Sequence, residues 1–241
     1  PEAVIKDRAT DISGLVSNLL PVRRQLIEAL PNLEIISNCA VGYNNIDLDA
    51  CKERQIAVTN TPDVLNDDTA DTALLLILNV MRRAVEGDAF TRAGMWINGP
   101  LPCGRSLGNK TLGILGLGRI GKEIAARAAA FKMNIIYHGR REQPDQPYEY
   151  YEDLEDMAKA CDVMVVICPG GSETEGLVNL KILQALGADS YLVNVARGSV
   201  VEEEDLLIAL ANKYIAGAAL DVYRDEPHVP EALFTMDNVV L

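Results

Sequence analysis

The segment Gly116-Leu117-Gly118-Arg119-Ile120-Gly121 has a spacing with a defined physical use. It follows an apolar run, Thr111–Leu115, and opens a stretch of helical periodicity. In that setting Gly116 permits a tight turn, Gly118 lets a phosphate approach the backbone, and Gly121 lets the helix pack against its strand. The helix N-terminus then offers free N–H groups to an anion. A dinucleotide pyrophosphate fits this arrangement, against the alternative of a turn without a ligand. The following strand ends Tyr137-His138-Gly139-Arg140-Arg141 and carries no acid. An acid there would bond the ribose hydroxyls and repel a 2′-phosphate, whereas paired arginines grip one through charge-assisted forks. NADPH is therefore expected in preference to NAD, the alternative being that Arg140 and Arg141 are ordinary surface charge.

Further charged residues fall just beyond apolar runs. Arg197 lies in Asn194-Val195-Ala196-Arg197-Gly198, and Asp221 and Glu226 lie in Asp221-Val222-Tyr223-Arg224-Asp225-Glu226-Pro227. In open α/β sheets ligands bind at the C-terminal ends of the strands, so these positions are candidates for a reaction centre. By spacing alone a structural salt bridge fits them equally well. The two histidines, His138 and His228, sit in loop-like contexts without a catalytic signature and read as solvated.

The elements that must position these residues are legible as alternation. Strands are predicted at Thr111–Leu115, Asn134–Tyr137, Asp162–Ile167, Tyr191–Val195, Ile215–Asp221 and Asn238–Leu241. Helices are predicted near Arg119–Phe131, Tyr151–Ala160, Leu180–Leu186 and Glu203–Lys213. Continuous apolar strands alternating with helices imply a doubly wound, Rossmann-type parallel sheet covered on both faces. Before it, short strands at Ala3–Ile5, Leu33–Ile36 and Ile56–Val58, with a helix over Val22–Leu30, outline part of a second, flavodoxin-like α/β unit. Domains of 1–72 and 73–241 follow, bridged by a long apolar helix, Asp67–Arg83. Its acids lead and its arginines trail, as a helix dipole favours.

Composition bounds the partners. With 22 basic and 35 acidic side chains among 241 residues, the formal charge is −13. Nucleic acid and anionic membranes, which demand basic surfaces, are disfavoured, while a small anion needs only a local positive pocket. No apolar run approaches the roughly 20 residues of a membrane span. The 5 cysteines are widely spaced and lack a C-x-x-C pair, so they read as buried hydrophobes in a reducing, cytoplasmic setting, with no metal site.

Taken together, Val41–Asp47, Asn60–Leu65, Leu115–Gly121, Asn194–Gly198 and Ala219–Pro227 resemble the D-isomer-specific 2-hydroxyacid dehydrogenases along essentially the whole chain. Asp63–Asp71 and the Gly139-Arg140-Arg141 turn look most like the NADPH-dependent hydroxyphenylpyruvate, hydroxypyruvate and glyoxylate reductases. The resemblance implies hydride transfer from NADPH to a 2-oxo acid, giving a D-2-hydroxy acid. It implies that backbone N–H groups of Val41, Gly42 and Tyr43 bind the substrate carboxylate, and that Arg197 holds that carboxylate and polarises the carbonyl. Leu117, Gly118, Arg119 and Ile120 would bracket the pyrophosphate, Val195 and Ala196 would line the nicotinamide pocket, and Asp221 would meet the nicotinamide end. Glu226 would raise the pKa of a proton-donating histidine. In the family that histidine follows a strand such as Asn238–Leu241. The chain stops at Leu241 and also lacks the start of the substrate domain, so a fragment that binds cofactor better than it turns over substrate is expected. A homodimer is implied too, while Met95 and Trp96 fit either a substrate cleft or a subunit contact. Other readings are a non-catalytic, corepressor-like dinucleotide module and an NAD-dependent dehydrogenase.

Overall fold

The computed structural model describes residues 7–18 and 20–241. The chain divides between Leu65 and Asn66 into two compact units. A boundary at 72/73 would cut the helix Asn66–Arg82, which belongs wholly to the second unit.

The first unit runs β1 (Gly14–Ser17), α1 (Arg24–Glu28), β2 (Ile35–Asn38), α2 (Leu48–Glu53) and β3 (Ala57–Thr59). Its strands pair in parallel in the order β1-β2-β3. Val22, Ile27, Leu30, Leu33, Ile36, Ile46, Cys51 and Ile56 form its core. The strand expected at Ala3–Ile5 lies outside the described residues. The helix expected over Val22–Leu30 is shorter at both ends. Val22 is held in a bridge with Ile46, and Leu30 closes a turn on the Ile27 carbonyl.

The second unit begins with α3 (Asn66–Arg82) and α4 (Ala84–Arg92), which are separated by Arg83 in a left-handed conformation. Next come β4 (Thr111–Leu115), α5 (Arg119–Ala130), β5 (Asn134–His138), β6 (Glu149–Tyr151), α6 (Leu154–Ala160) and β7 (Val163–Val166). The chain continues through α7 (Leu180–Leu186), β8 (Tyr191–Asn194), α8 (Glu203–Ala211), β9 (Gly217–Leu220) and β10 (Val239–Val240). The sheet is parallel throughout, in the order β10-β9-β8-β7-β4-β5-β6. Its strand order reverses between β4 and β7, the doubly wound arrangement anticipated from the alternation of elements.

Strand side chains alternate between two cores, as the period of 2 requires. Leu115, Ile136, Met164, Val166, Leu192 and Leu220 pack under α6, α7 and α8. Leu112, Ile114, Tyr137, Val165, Val193 and Ala219 pack under α3 and α5. Arg127 ties those two helices together, bonding Asp67 and Asp71 of α3 at 2.6 Å each and Glu123 of its own helix at 2.8 Å. These carboxylates hold its guanidinium well above the usual arginine range. Cys51, Cys161 and Cys168 are buried as expected, but Cys39 and Cys103 are exposed, each in a loop outside the apolar strands. Among the described residues no helix is long and apolar enough to cross a membrane.

Candidate nucleotide-binding and reaction site

The register of the large sheet determines where its loops emerge. His138, Leu115, Val166, Asn194 and Leu220 are mutual partners across neighbouring strands and form one row. The next residue of each strand, Gly139, Gly116, Ile167, Val195 and Asp221, therefore leaves the sheet at the same edge. The backbone N–H groups of Gly116, Ile167, Val195 and Asp221 each still bond the row beside them. The glycine-rich turn, the arginine pair and the segments of Arg197 and Asp221 thus start from one line of the sheet, at its C-terminal edge.

At the glycine-rich turn the three glycines have distinct surroundings. Gly116 has φ +107, and a Cβ there would stand 2.7 Å from the Cys168 backbone nitrogen. Around Gly118 a Cβ would meet nothing within 4 Å, so this face of the turn is open. A Cβ on Gly121 would lie 2.4 Å from the Gly116 carbonyl oxygen, which places the helix directly on the turn. Gly118 caps α5, and its N–H closes on the Gly116 carbonyl at 2.9 Å. In the first turn of an α-helix the amides have no partner within the helix, and the dipole there favours an anion. This pattern of open Gly118 and crowded Gly121 fits a bound pyrophosphate.

Past β5, Arg140 and Arg141 are exposed, and among the described residues neither enters an ion pair. His138 is the last residue of β5, not a loop residue. Its Nδ1 is bonded to the Tyr151 carbonyl at 2.9 Å, which pins the edge strand β6. His228 is exposed in the turn that it forms with Asp225.

Past β8, the turn that carries Arg197 is built on Asn194, a buried amide within an apolar strand. Its Oδ1 accepts from the Ala196 N–H and its Nδ2 donates to the Arg197 carbonyl, both at 3.0 Å. Sequence reasoning did not single out this side chain. The signal was there, since a buried polar group needs partners and Asn194 stands in the run Leu192–Ala196. Val195 and Ala196 are buried, and Arg197 is half-buried, donating to the Ala196 carbonyl at 2.6 Å. The Arg197 stem crosses Gly170, where a Cβ would come within 2.8 Å of its Cγ.

Gly198 joins this turn to the one after β9, because a Cβ on it would fall 1.9 Å from the Tyr223 carbonyl carbon. That contact brings the Arg197 segment against the one carrying Asp221 and Glu226. Oε1 of Glu226 accepts the Tyr223 N–H at 3.1 Å, and the Glu226–Pro227 peptide is cis. The Tyr223 phenol is pushed above its ordinary pKa by burial first, and then by the charges of Asp221 and Glu226. No cluster of metal ligands occurs among the described residues.

In the first unit, Val41 and Gly42 are gripped by their carbonyls. Asn60 Nδ2 donates to Val41 and Asn38 Nδ2 donates to Gly42, both at 2.8 Å. Asn45 Nδ2 in turn bonds Asn38 Oδ1 at 3.2 Å. Among the described residues no backbone carbonyl takes the N–H of Val41, Gly42 or Tyr43. Those amides are the polar groups that this loop has left to offer.

Residues 74–241 match the family model described as D-isomer specific 2-hydroxyacid dehydrogenase, NAD binding domain. The chain is 48% identical over 217 residues to glyoxylate/hydroxypyruvate reductase A of Arabidopsis thaliana, covering 90% of this chain and 69% of that protein. It is 45% identical to hydroxyphenylpyruvate reductase of Plectranthus scutellarioides, with the same coverage. Among solved structures, an NADPH-dependent glyoxylate/hydroxypyruvate reductase from Sinorhizobium meliloti, in complex with NADP and malonate, superposes with TM-score 0.95 at 42% identity. It covers 100% of this chain and 76% of that one.

Proposed function

The chain belongs to the D-isomer-specific 2-hydroxyacid dehydrogenase family, and from this we propose that it is an NADPH-dependent reductase of small 2-oxo acids. The substrate is hydroxypyruvate, glyoxylate or hydroxyphenylpyruvate, the acids for which its relatives are named. The observation that supports this reading most is the single row of strand ends, which delivers the glycine-rich turn, the arginine pair and Arg197 to one edge of one sheet. NADPH, when bound, supplies the hydride for the keto carbon. The first-turn amides of α5, with Gly116, Leu117, Gly118, Arg119, Ile120 and Gly121, hold the pyrophosphate. Gly139, Arg140 and Arg141 hold the 2′-phosphate, as guanidiniums that enter no ion pair among the described residues do well. Val195, Ala196 and Asp221 meet the nicotinamide end.

The reaction needs a fixed positive charge where the carbonyl oxygen gains negative charge, and Arg197 supplies it. The amides of Val41, Gly42 and Tyr43 bind the substrate carboxylate, which orients the carbonyl before transfer. A proton must reach the oxygen as the hydride reaches the carbon. Glu226 serves that step by raising the pKa of the family's histidine donor, and neither His138 nor His228 takes that role. The protein works in the cytoplasm as a homodimer. The apolar face of α3 is consumed inside its own unit, so the exposed Met95, Trp96 and Ile97 are the better subunit contact.

The test is Arg197→Gln in the protein as its gene encodes it, followed by NADPH absorbance with each of the three substrates. Loss of about 10²–10³ in kcat with unchanged NADPH affinity is expected for a group that stabilises developing charge. An equal collapse of cofactor binding would make Arg197 structural, and NADPH binding without turnover by the unmutated protein would favour a corepressor-like module. Tighter binding of NADH than NADPH would instead favour an NAD-dependent dehydrogenase.

A further inference from the structure

The loop that carries Arg140 and Arg141 is fastened at both ends, and one fastening reaches the glycine-rich turn. At its start, the Tyr150 hydroxyl donates to the Gly139 carbonyl at 3.1 Å. At its end, the Gln143 backbone N–H donates to the hydroxyl of the fully buried Tyr137 at 2.7 Å. The Gln143 side chain then crosses to the turn, where Nε2 donates to the Leu117 carbonyl at 2.6 Å. A carbonyl only accepts, so the amide must present its NH2 group to Leu117. Because the Gly118 N–H bonds the Gly116 carbonyl, the Leu117–Gly118 peptide is held by both of its polar ends. The rings of Tyr137 and Tyr150 lie against each other with centroids 5.3 Å apart, so both anchors of the loop share one base.

We propose that Gln143 is a positioning residue for cofactor choice, setting the distance between the pyrophosphate turn and the arginine pair. This rests on the reading of Arg140 and Arg141 as the 2′-phosphate site. The two phosphate groups of NADPH are joined through one ribose, so their separation is limited by covalent geometry. A protein that binds both gains affinity only when its two anion sites stand at a matching separation beforehand, since ordering a loose loop on binding opposes the gain. Gln143 and Tyr137 supply that ordering, and the arginines between Gly139 and Gln143 are spared the cost. NADH has no 2′-phosphate and is indifferent to where the arginines stand.

The experiment compares Gln143→Met, Tyr137→Phe and Arg140→Ala/Arg141→Ala with the unmutated protein. Dissociation constants for NADPH and NADH are read by nicotinamide fluorescence, with the melting temperature recorded for each. Gln143→Met keeps roughly the length of the side chain and removes the amide, and with it the bond to the Leu117 carbonyl. NADPH binding should weaken about tenfold, the loss of one hydrogen bond's worth of ordering, while NADH binding changes less than about twofold. Tyr137→Phe should show the same split in smaller measure, and gives a second reading if the Met variant folds poorly. Equal weakening of both cofactors, or no change in either, overturns the role of Gln143. If the double arginine variant alone discriminates against NADPH, the arginine reading stands and the Gln143 proposal fails. If the double variant leaves NADPH binding intact, the arginine reading fails and takes the proposal with it.

Discussion

Gly118 and Gly121 lie three positions apart in one motif, yet alanine should harm them in different ways. At Gly121 a Cβ would stand 2.4 Å from the Gly116 carbonyl oxygen, an atom of a turn that is itself wedged against Cys168. Alanine gains about 0.5–1 kcal/mol over glycine in a helix interior. Forcing a methyl group into a packed backbone contact typically costs about 1–3 kcal/mol and at times more. The clash wins, for a net loss of about 1–2 kcal/mol. For a domain of this size that lowers the melting temperature by roughly 2–8 °C. At Gly118, with φ −83 and ψ −160 and nothing within 4 Å, an alanine fits the empty turn. The poorer helix cap costs several tenths of a kcal/mol, and the stiffer unfolded chain returns about as much. Stability should therefore stay within about 0.5 kcal/mol of the parent. The methyl group now occupies the face that the pyrophosphate needs, so NADPH affinity should fall at least about tenfold, the effect of about 1.4 kcal/mol. Thermal melts with and without NADPH, with fluorescence titration of both variants, separate the two effects. A Gly118→Ala protein that melts early, or one that keeps full NADPH affinity, would refute the assignment of the open face to the cofactor.

Thiol reactivity should split by burial. Cys161 is pushed up to about 12 and Cys168 to about 11, chiefly by desolvation, and Cys51 is raised by the same cause. Since the thiolate is the nucleophile, a disulfide reagent at mildly alkaline pH should label the exposed Cys39 and Cys103 quickly and leave the other three until unfolding. Rapid labelling of Cys161 in the folded protein, seen by peptide mass spectrometry, would contradict this. Glu155 is held down at about 2, first by Lys181 at 2.6 Å and then by Lys159 at 2.9 Å. A depressed carboxylate favours the fold above its unfolded pKa, near 4.5, and that contribution is lost as pH falls toward about 2. Lys181→Met should shift the Glu155 carboxyl titration upward in an NMR pH series, and an unmoved titration would show the pair to be absent in solution.

How far the sequence could be read depended on whether the signal was local. Strands β4, β5, β7, β8 and β9 are continuous apolar runs between helices, and they were legible to within a residue or two at most ends. β6, Glu149–Tyr151, is a half-buried edge strand with no apolar run, so nothing local marks it. β1 was missed for the same reason, since most of Gly14–Ser17 lies outside the core. Helix α4 buries no residue and contains Gly87, so it lacks the periodic stripe that reveals a helix. At the site, the glycine spacing and the placement of Arg197 after a strand were visible as motifs. The reach of Gln143 to Leu117 and the pressure of Gly198 on Tyr223 were not, because each joins residues distant in sequence and depends on the strand register.

A chain of formal charge −13 is an unpromising receptor for a cofactor that is itself strongly anionic, and the pattern of pairing explains how it can serve. Many of the arginines here are neutralised where they stand. Arg24 faces Glu53, Arg83 faces Glu86, Arg105 faces Asp189, Arg127 faces three acids, and Arg224 faces Glu202 and Glu175. Such pairs present little field beyond themselves. Charges farther away than about 8–10 Å are screened at physiological salt, so the total charge has little say at any one site. What counts is a cation outside any ion pair beside donors already aimed, and among the described residues Arg140 and Arg141 enter no ion pair and follow the strand that pairs with β4, the strand leading into the glycine-rich turn. Adding a carboxylate within reach of them, as Gly139→Asp would, should therefore turn preference away from NADPH with little change in the fold, since a Cβ at Gly139 meets nothing within 4 Å. The surplus of acids elsewhere on the surface would not rescue or worsen that outcome, because the discrimination is made by the few charges inside one screening length.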